Sequence, residues 1–220
     1  MYSLDRTSQE MTAQLVPCTQ HHIPPPMLPH VVDSLRRGDL ILFPTDTVYG
    51  IGGNALDSHV FRRLTQVKSR PSFKPLPILV HSIESAKRWV VWTPQAAVLA
   101  QKFWPGPLTL VLDCSEEGRK ISHGFNTLGI RVPNFPALLE LLRTADLPLA
   151  SSSANPSGSG ATGDGSGIAK ELQDQATYFL NAGKTLGIES TVVDLTNPSG
   201  KLLRWGAIPE SEIRSVLDSA

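Results

Sequence analysis

Short apolar runs, each emptying into a polar or glycine-rich stretch, constrain this chain most. Residues 40–43 (LILF), 76–81, 107–113, 129–132 and 147–151 are flanked by Gly, Pro and Asp and are too short for buried helices, so they read as strands. Helical signals lie between them. Residues 28–37 carry Val31, Val32 and Leu35 at helical spacing and stop at Gly38. Asp57 or Ser58 can cap a helix through about Lys68, Ser82 a short one to Val91, and Thr93-Pro94 one to Trp104. Pro136–Ala145 is leucine-rich and helical, and helices are also predicted over 168–175 and 209–217. Further strands are predicted at Tyr178–Asn181, 191–195 and Lys201–Arg204. Early alternation followed by late clustering of strands predicts an α/β fold: a twisted mixed parallel/antiparallel sheet with helices on its faces.

A chain of 220 residues suits one domain. Residues 1–26 are polar and end in His21-His22-Ile23-Pro24-Pro25-Pro26, which reads as a flexible or surface-draped arm ahead of a folded domain over 27–220. The paired histidines, with no Cys or acid nearby, make a poor metal site. Lys+Arg and Asp+Glu are both 20, so bulk charge gives no reason to expect a nucleic-acid or membrane partner. Two cysteines, Cys18 and Cys114, form neither a disulfide framework nor a zinc pair, and free thiols suit a reducing compartment. No run approaches 18 apolar residues and no signal peptide is evident, so the expected location is cytoplasmic, without a membrane partner.

Polar constellations interrupt this pattern. Pro44-Thr45-Asp46-Thr47-Val48-Tyr49-Gly50-Ile51-Gly52 follows a buried strand, at the carboxyl end where open α/β sheets bind ligands. It offers hydroxyls, a carboxylate, a phenol and glycines, but it is neither a P-loop nor a dinucleotide fingerprint. Lys68 and Arg70 end a helix, where they either complement its dipole or clamp phosphate. Arg131 interrupts an apolar strand, so it is either paired with an acid or bound to an anionic ligand such as a carboxylate. Ser151-Ser152-Ser153-Ala154-Asn155 runs from a strand into a glycine-rich loop over 157–167, and its hydroxyls and amide suit a phosphate or a sugar. That loop is long enough to suggest function or mobility. Gly187-Ile188-Glu189-Ser190-Thr191-Val192-Val193-Asp194 and Leu202-Leu203-Arg204-Trp205-Gly206 are weaker signals. No serine elbow and no metal-ligand spacing appears.

In this order PTDTVYGIG, KSRP, PGPLTL, GIRVP, SSSANPSG, GIESTVVD and LLRWG resemble the threonylcarbamoyl-AMP synthase family, the YrdC/Sua5-type domain, over about residues 28–212. The resemblance implies a short single-domain form with a concave, positively charged site. It implies joining L-threonine, bicarbonate and ATP into L-threonylcarbamoyladenylate with release of pyrophosphate, for N6-threonylcarbamoyladenosine in tRNA. By resemblance Lys68, Arg70, Ser153 and Asn155 form the catalytic centre. Lys68, Arg70, Thr127, Ser151, Ser153 and Arg204 contact ATP, and Thr45, Arg131 and Ser190 contact threonine. Mg2+ comes mainly held by nucleotide phosphates. Partners implied are tRNA-modification proteins that consume the product, with tRNA or double-stranded RNA as a further partner. Two departures bear on the site: Leu79 stands where many members carry a His near threonine, and Trp205 where Pro is common. The alternative is a paralogue of the same fold that makes no product and acts as an RNA- or ribosome-associated binding protein.

Overall fold

Period-two alternation divides each apolar run between two cores, one on either face of a single sheet. The structure is a computed structural model that describes residues 12–67, 75–155, 160 and 162–219. In chain order the elements are β1 (Gln14–Pro17), α1 (Leu28–Arg36), β2 (Ile41–Phe43), β3 (Gly50–Asn54), α2 (Ser58–Val67), β4 (Ile78–Leu79), α3 (Ile83–Trp89), α4 (Pro94–Phe103), β5 (Leu108–Asp113), β6 (Thr127–Arg131), α5 (Pro136–Ala145), β7 (Leu149–Ser153), α6 (Lys170–Gln173), β8 (Tyr178–Asn181), β9 (Thr191–Asp194), β10 (Lys201–Arg204) and α7 (Glu210–Leu217). The described strands form one ten-stranded sheet, ordered β1-β8-β2-β3-β7-β4-β6-β5-β9-β10. Pairing is parallel at β1/β8, β8/β2, β4/β6 and β5/β9, and antiparallel at the other junctions. The expected mixed sheet is therefore present.

Leu42, Ile51, Ile78, Ile130 and Ala150 face a core shared with α2, α3, α4, α6 and α7. Ile41, Phe43, Leu79 and Leu149 face a second core that α1 and α5 close. That two-sided burial is why the 40–43 run is apolar without interruption. The cap signals perform as their chemistry requires. Ser82 and Thr93 accept from the backbone N–H of Ser85 and Ala96, Asp57 accepts from His59, and Gly38 follows α1 at φ +83°.

Four expectations change. Residues within 1–26 are not all a free arm: Gln14–Pro17 forms the sheet's edge strand beside β8, and Val16 and Ile23 are buried. Satisfying the β8 edge and burying two branched side chains offsets the cost of ordering this segment; residues 1–11 lie outside the described residues. β3 was not expected, because glycine is a poor strand former. Here it is required: a Cβ at Gly50 would lie 2.9 Å from the Phe43 ring, and one at Gly52 would lie 3.1 Å from the same ring and closer still to the Ala150 carbonyl. The helix expected over 168–175 shortens to Lys170–Gln173. The loop over 157–167 contains a 3-10 turn at Gly165–Gly167; residues 156–159 and 161 lie outside the described residues.

Candidate functional site

The α1/α5 face of the sheet is covered only in part. Registers place Gly50 opposite Ser153, Gly52 opposite Ser151, Leu79 opposite Arg131, Gly129 opposite Val111 and Val192 opposite Thr109, all on this side. Away from the helices these positions line a cavity of about 310 Å³, bounded at its ends by the β2–β3 loop and by Glu189, Ser190 and Arg204. Small or short side chains in the middle strands leave the space; longer polar ones close it.

At one end stands Arg131, 5% exposed. Its Nε donates to the Gly106 carbonyl at 2.9 Å, Nη1 to Thr47 Oγ1 at 3.0 Å and Nη2 to Asp46 Oδ1 at 2.5 Å. Burial pushes the guanidinium below its ordinary value, Asp46 opposes that shift, and the charge on Arg204 adds to it. Of the two expectations for Arg131, the acid partner is present: Asp46, with its side chain 14% exposed. Thr45 Oγ1 lies 2.7 Å from the Val48 carbonyl, to which it can only donate, and 2.9 Å from Thr47 Oγ1. The hydrogen shared by the two threonines therefore belongs to Thr47. The result is a directed chain, Arg131 to Thr47 to Thr45 to the Val48 carbonyl, in which every hydroxyl hydrogen is committed inside the protein. Thr45 lines the cavity, yet its hydroxyl hydrogen serves the loop.

At the other end Arg204 donates from Nε to the Ser190 carbonyl and from Nη2 to Ser190 Oγ, each at 2.9 Å, and pairs through Nη1 with Glu189 at 3.0 Å. Ser190 Oγ lies 2.9 Å from Thr109 Oγ1. In the middle, Ser151 Oγ is 3.2 Å from the Pro77 carbonyl, and Ser153 lines the cavity beside it. Behind the β2–β3 loop runs a strap formed by residues 162–165 and 183–187. Thr185 Oγ1 and the Gly187 N–H both donate to the Thr47 carbonyl, and the Tyr49 hydroxyl donates to the Gly183 carbonyl while accepting from Ala182 N–H.

Of the residues expected at the site, Thr45, Arg131, Ser151, Ser153, Ser190 and Arg204 line one cavity. Asn155 is buried just past β7 but does not line it, and Thr127 shares the open face two residues before Gly129 without reaching it. Lys68 and Arg70 lie outside the described residues. Leu79 is in the cavity wall, so that wall is apolar where an imidazole was the comparison. Both arginines of the described walls carry acid partners, Asp46 for Arg131 and Glu189 for Arg204, and the expected positive charge of the site also rests on Lys68 and Arg70. Asp46 and Thr47, Thr109 and Glu189 were not singled out in sequence. All four sit inside the quoted motifs, Thr109 as the one polar side chain of the strand portion of PGPLTL. Among the described residues no three of His, Cys, Asp and Glu gather closely enough to hold a metal ion, and no helix is long and apolar enough to cross a membrane.

The family model described as "Telomere recombination", covering Sua5, YciO and YrdC, matches residues 33–206. Threonylcarbamoyl-AMP synthase of Pyrococcus abyssi is 40% identical over 186 residues, 83% of this chain and 55% of that protein. A putative threonylcarbamoyl-AMP synthase of Mycobacterium tuberculosis is 35% identical over 189 residues, 84% of this chain and 87% of that protein. The solved structure of P. abyssi Sua5 complexed with L-threonine superimposes with a TM-score of 0.84 at 37% identity, covering 93% of this chain and 60% of that one. The chain thus spans little more than half the length of the P. abyssi protein.

Proposed function

The chain belongs to the Sua5/YciO/YrdC family, and from that premise we propose that it makes L-threonylcarbamoyladenylate from L-threonine, bicarbonate and ATP, releasing pyrophosphate. The observation that carries this reading is the single cavity. Ser151, Ser153 and Arg204, assigned to the nucleotide, line it together with Thr45, Arg131 and Ser190, assigned to the amino acid. An oxygen of the threonine carbamate attacks the α-phosphorus of ATP, and the bond to pyrophosphate breaks. Such a step needs positioned donors and cations more than a nucleophilic side chain.

Charge divides the labour. Arg131 and Arg204 are each offset by an acid; the family resemblance gives the phosphates to Lys68 and Arg70, with Ser153 and Asn155 completing the centre. Mg2+ enters with the phosphates of ATP, which needs no dedicated protein cage. The product passes to proteins that modify tRNA. Incubation with ATP, threonine and radiolabelled bicarbonate tests the reading: a labelled adenylate and threonine-dependent pyrophosphate release are expected, and neither appearing overturns it. Lys68→Ala or Arg70→Ala is expected to abolish product in a folded protein.

A further inference from the structure

The two ends of the cavity carry similar hydroxyl pairs that differ in where their hydrogens go. In the Thr45/Thr47 pair both are spent, one on the Val48 carbonyl and one between the two oxygens, while Arg131 donates into the far end. The Thr109/Ser190 pair starts in the same way, with Arg204 Nη2 donating to Ser190 Oγ and the hydroxyls 2.9 Å apart. It ends differently. Two hydroxyls bring two hydrogens, their mutual bond uses one, and no further acceptor follows among the described residues. Thr109 and Ser190 are 5% and 4% exposed, and both line the cavity. A buried hydroxyl hydrogen with no acceptor is costly, so this relay is built to end on an oxygen that the cavity receives.

Arg204 fixes the direction. A guanidinium donating to Ser190 Oγ polarises that hydroxyl into a better donor, which orients the chain from Arg204 to Ser190 to Thr109 and leaves the Thr109 hydrogen for the ligand. We propose that Thr109 is a ligand-binding residue, donating through this relay to an acceptor oxygen of the bound amino acid, its carboxylate. The inference rests on the reading given under Proposed function. Arg131, already opposed by Asp46, is the weaker recipient of a second carboxylate, since an ion pair offers a ligand little net charge; the open relay supplies a donor that no protein acid competes for.

Thr109→Val keeps the shape and the strand preference of the side chain and removes only the hydroxyl, whereas Thr109→Ser restores it. Calorimetric titration of each protein with L-threonine and, separately, with a non-hydrolysable ATP analogue reads the two halves of the cavity. Thr109→Val is expected to weaken threonine roughly tenfold or more, as for a lost hydrogen bond to a charged group. It should leave the ATP analogue within about twofold, with Thr109→Ser recovering most of the loss. A merely structural hydroxyl would lower Tm and move both ligands together. Unchanged threonine affinity in Thr109→Val, or equal losses for both ligands, overturns the inference. Absence of threonine binding in the unsubstituted protein overturns the functional reading itself, and this inference with it.

Discussion

Asp46→Asn tests the buried end of the cavity most directly. The side chains of Arg131 and Asp46 are 6% and 14% exposed and stand 2.5 Å apart, so the charge of one is neutralised almost wholly by the other. Removing one member of such a pair costs about 3–5 kcal/mol, because the remaining charge stays buried. Asparagine keeps an acceptor for Nη2, and the Gly106 and Thr47 contacts survive, so the expected cost lies near the lower bound, about 3 kcal/mol. For a chain of this size that is a fall in Tm of roughly 6–12 °C and a drop in urea midpoint on the order of 1 M. The matching assay is urea unfolding followed by tryptophan fluorescence for the unsubstituted protein, Asp46→Asn, Arg131→Met and the double variant. The double variant should lose much less than the sum of the singles, with a coupling of about 2 kcal/mol or more. A midpoint shift below about 0.3 M for Asp46→Asn, or singles that simply add, would refute the account of Arg131 as a buried charge dependent on Asp46.

Ser152 Oγ is buried and has no hydrogen-bond partner among the described residues, so Ser152→Ala should raise stability by about 1 kcal/mol in the same unfolding assay; a loss of stability would mean that the hydroxyl has a partner. Gly52→Ala pushes a methyl against the Phe43 ring and the Ala150 carbonyl and should cost about 1–3 kcal/mol, read as a lower Tm, and a neutral effect would show that β3 can move away from β2. Burial raises the Cys18 thiol to about 11 from an ordinary 9.0. Thiolate formation therefore works against the fold: the thiol's contribution to stability is complete below pH 9.0 and is lost as pH rises towards 11. Iodoacetamide labelling of Cys18, followed by peptide mass mapping, should keep climbing about tenfold per pH unit from 8 to 10; levelling off near pH 9 would contradict the shift.

How far the sequence could be read depends on how local each signal is. Capping residues act within one turn, so Ser82, Thr93 and Gly38 mark helix ends legibly. β3 was hidden because its glycines answer to Phe43 and Ala150, contacts supplied by the neighbouring strands. β1 was hidden because its partner, Tyr178–Asn181, lies far along the chain and two apolar residues in a polar stretch carry no period. The candidate site shows the same division. Motifs reveal which residue types gather, and six of the expected residues do line one cavity. Which hydroxyl is spent and which is open depends on partners such as Val48 for Thr45 and Arg204 for Ser190, and only the fold decides those. Thr109 illustrates the limit: it is one threonine among leucines until the β5/β9 register turns it toward Val192 and the cavity.

The two acid-partnered arginines also set the range over which these walls act. A lone charge projects a field that falls slowly with distance, and a charge beside its opposite behaves as a dipole whose field fades much faster. A ligand approaching the Asp46–Arg131 and Glu189–Arg204 ends therefore feels little pull from them until it is within contact distance. There, the orientation of each pair matters more than its sign. These two ends select by fit and direction, and the salt concentration of the surroundings should alter their contribution only slightly.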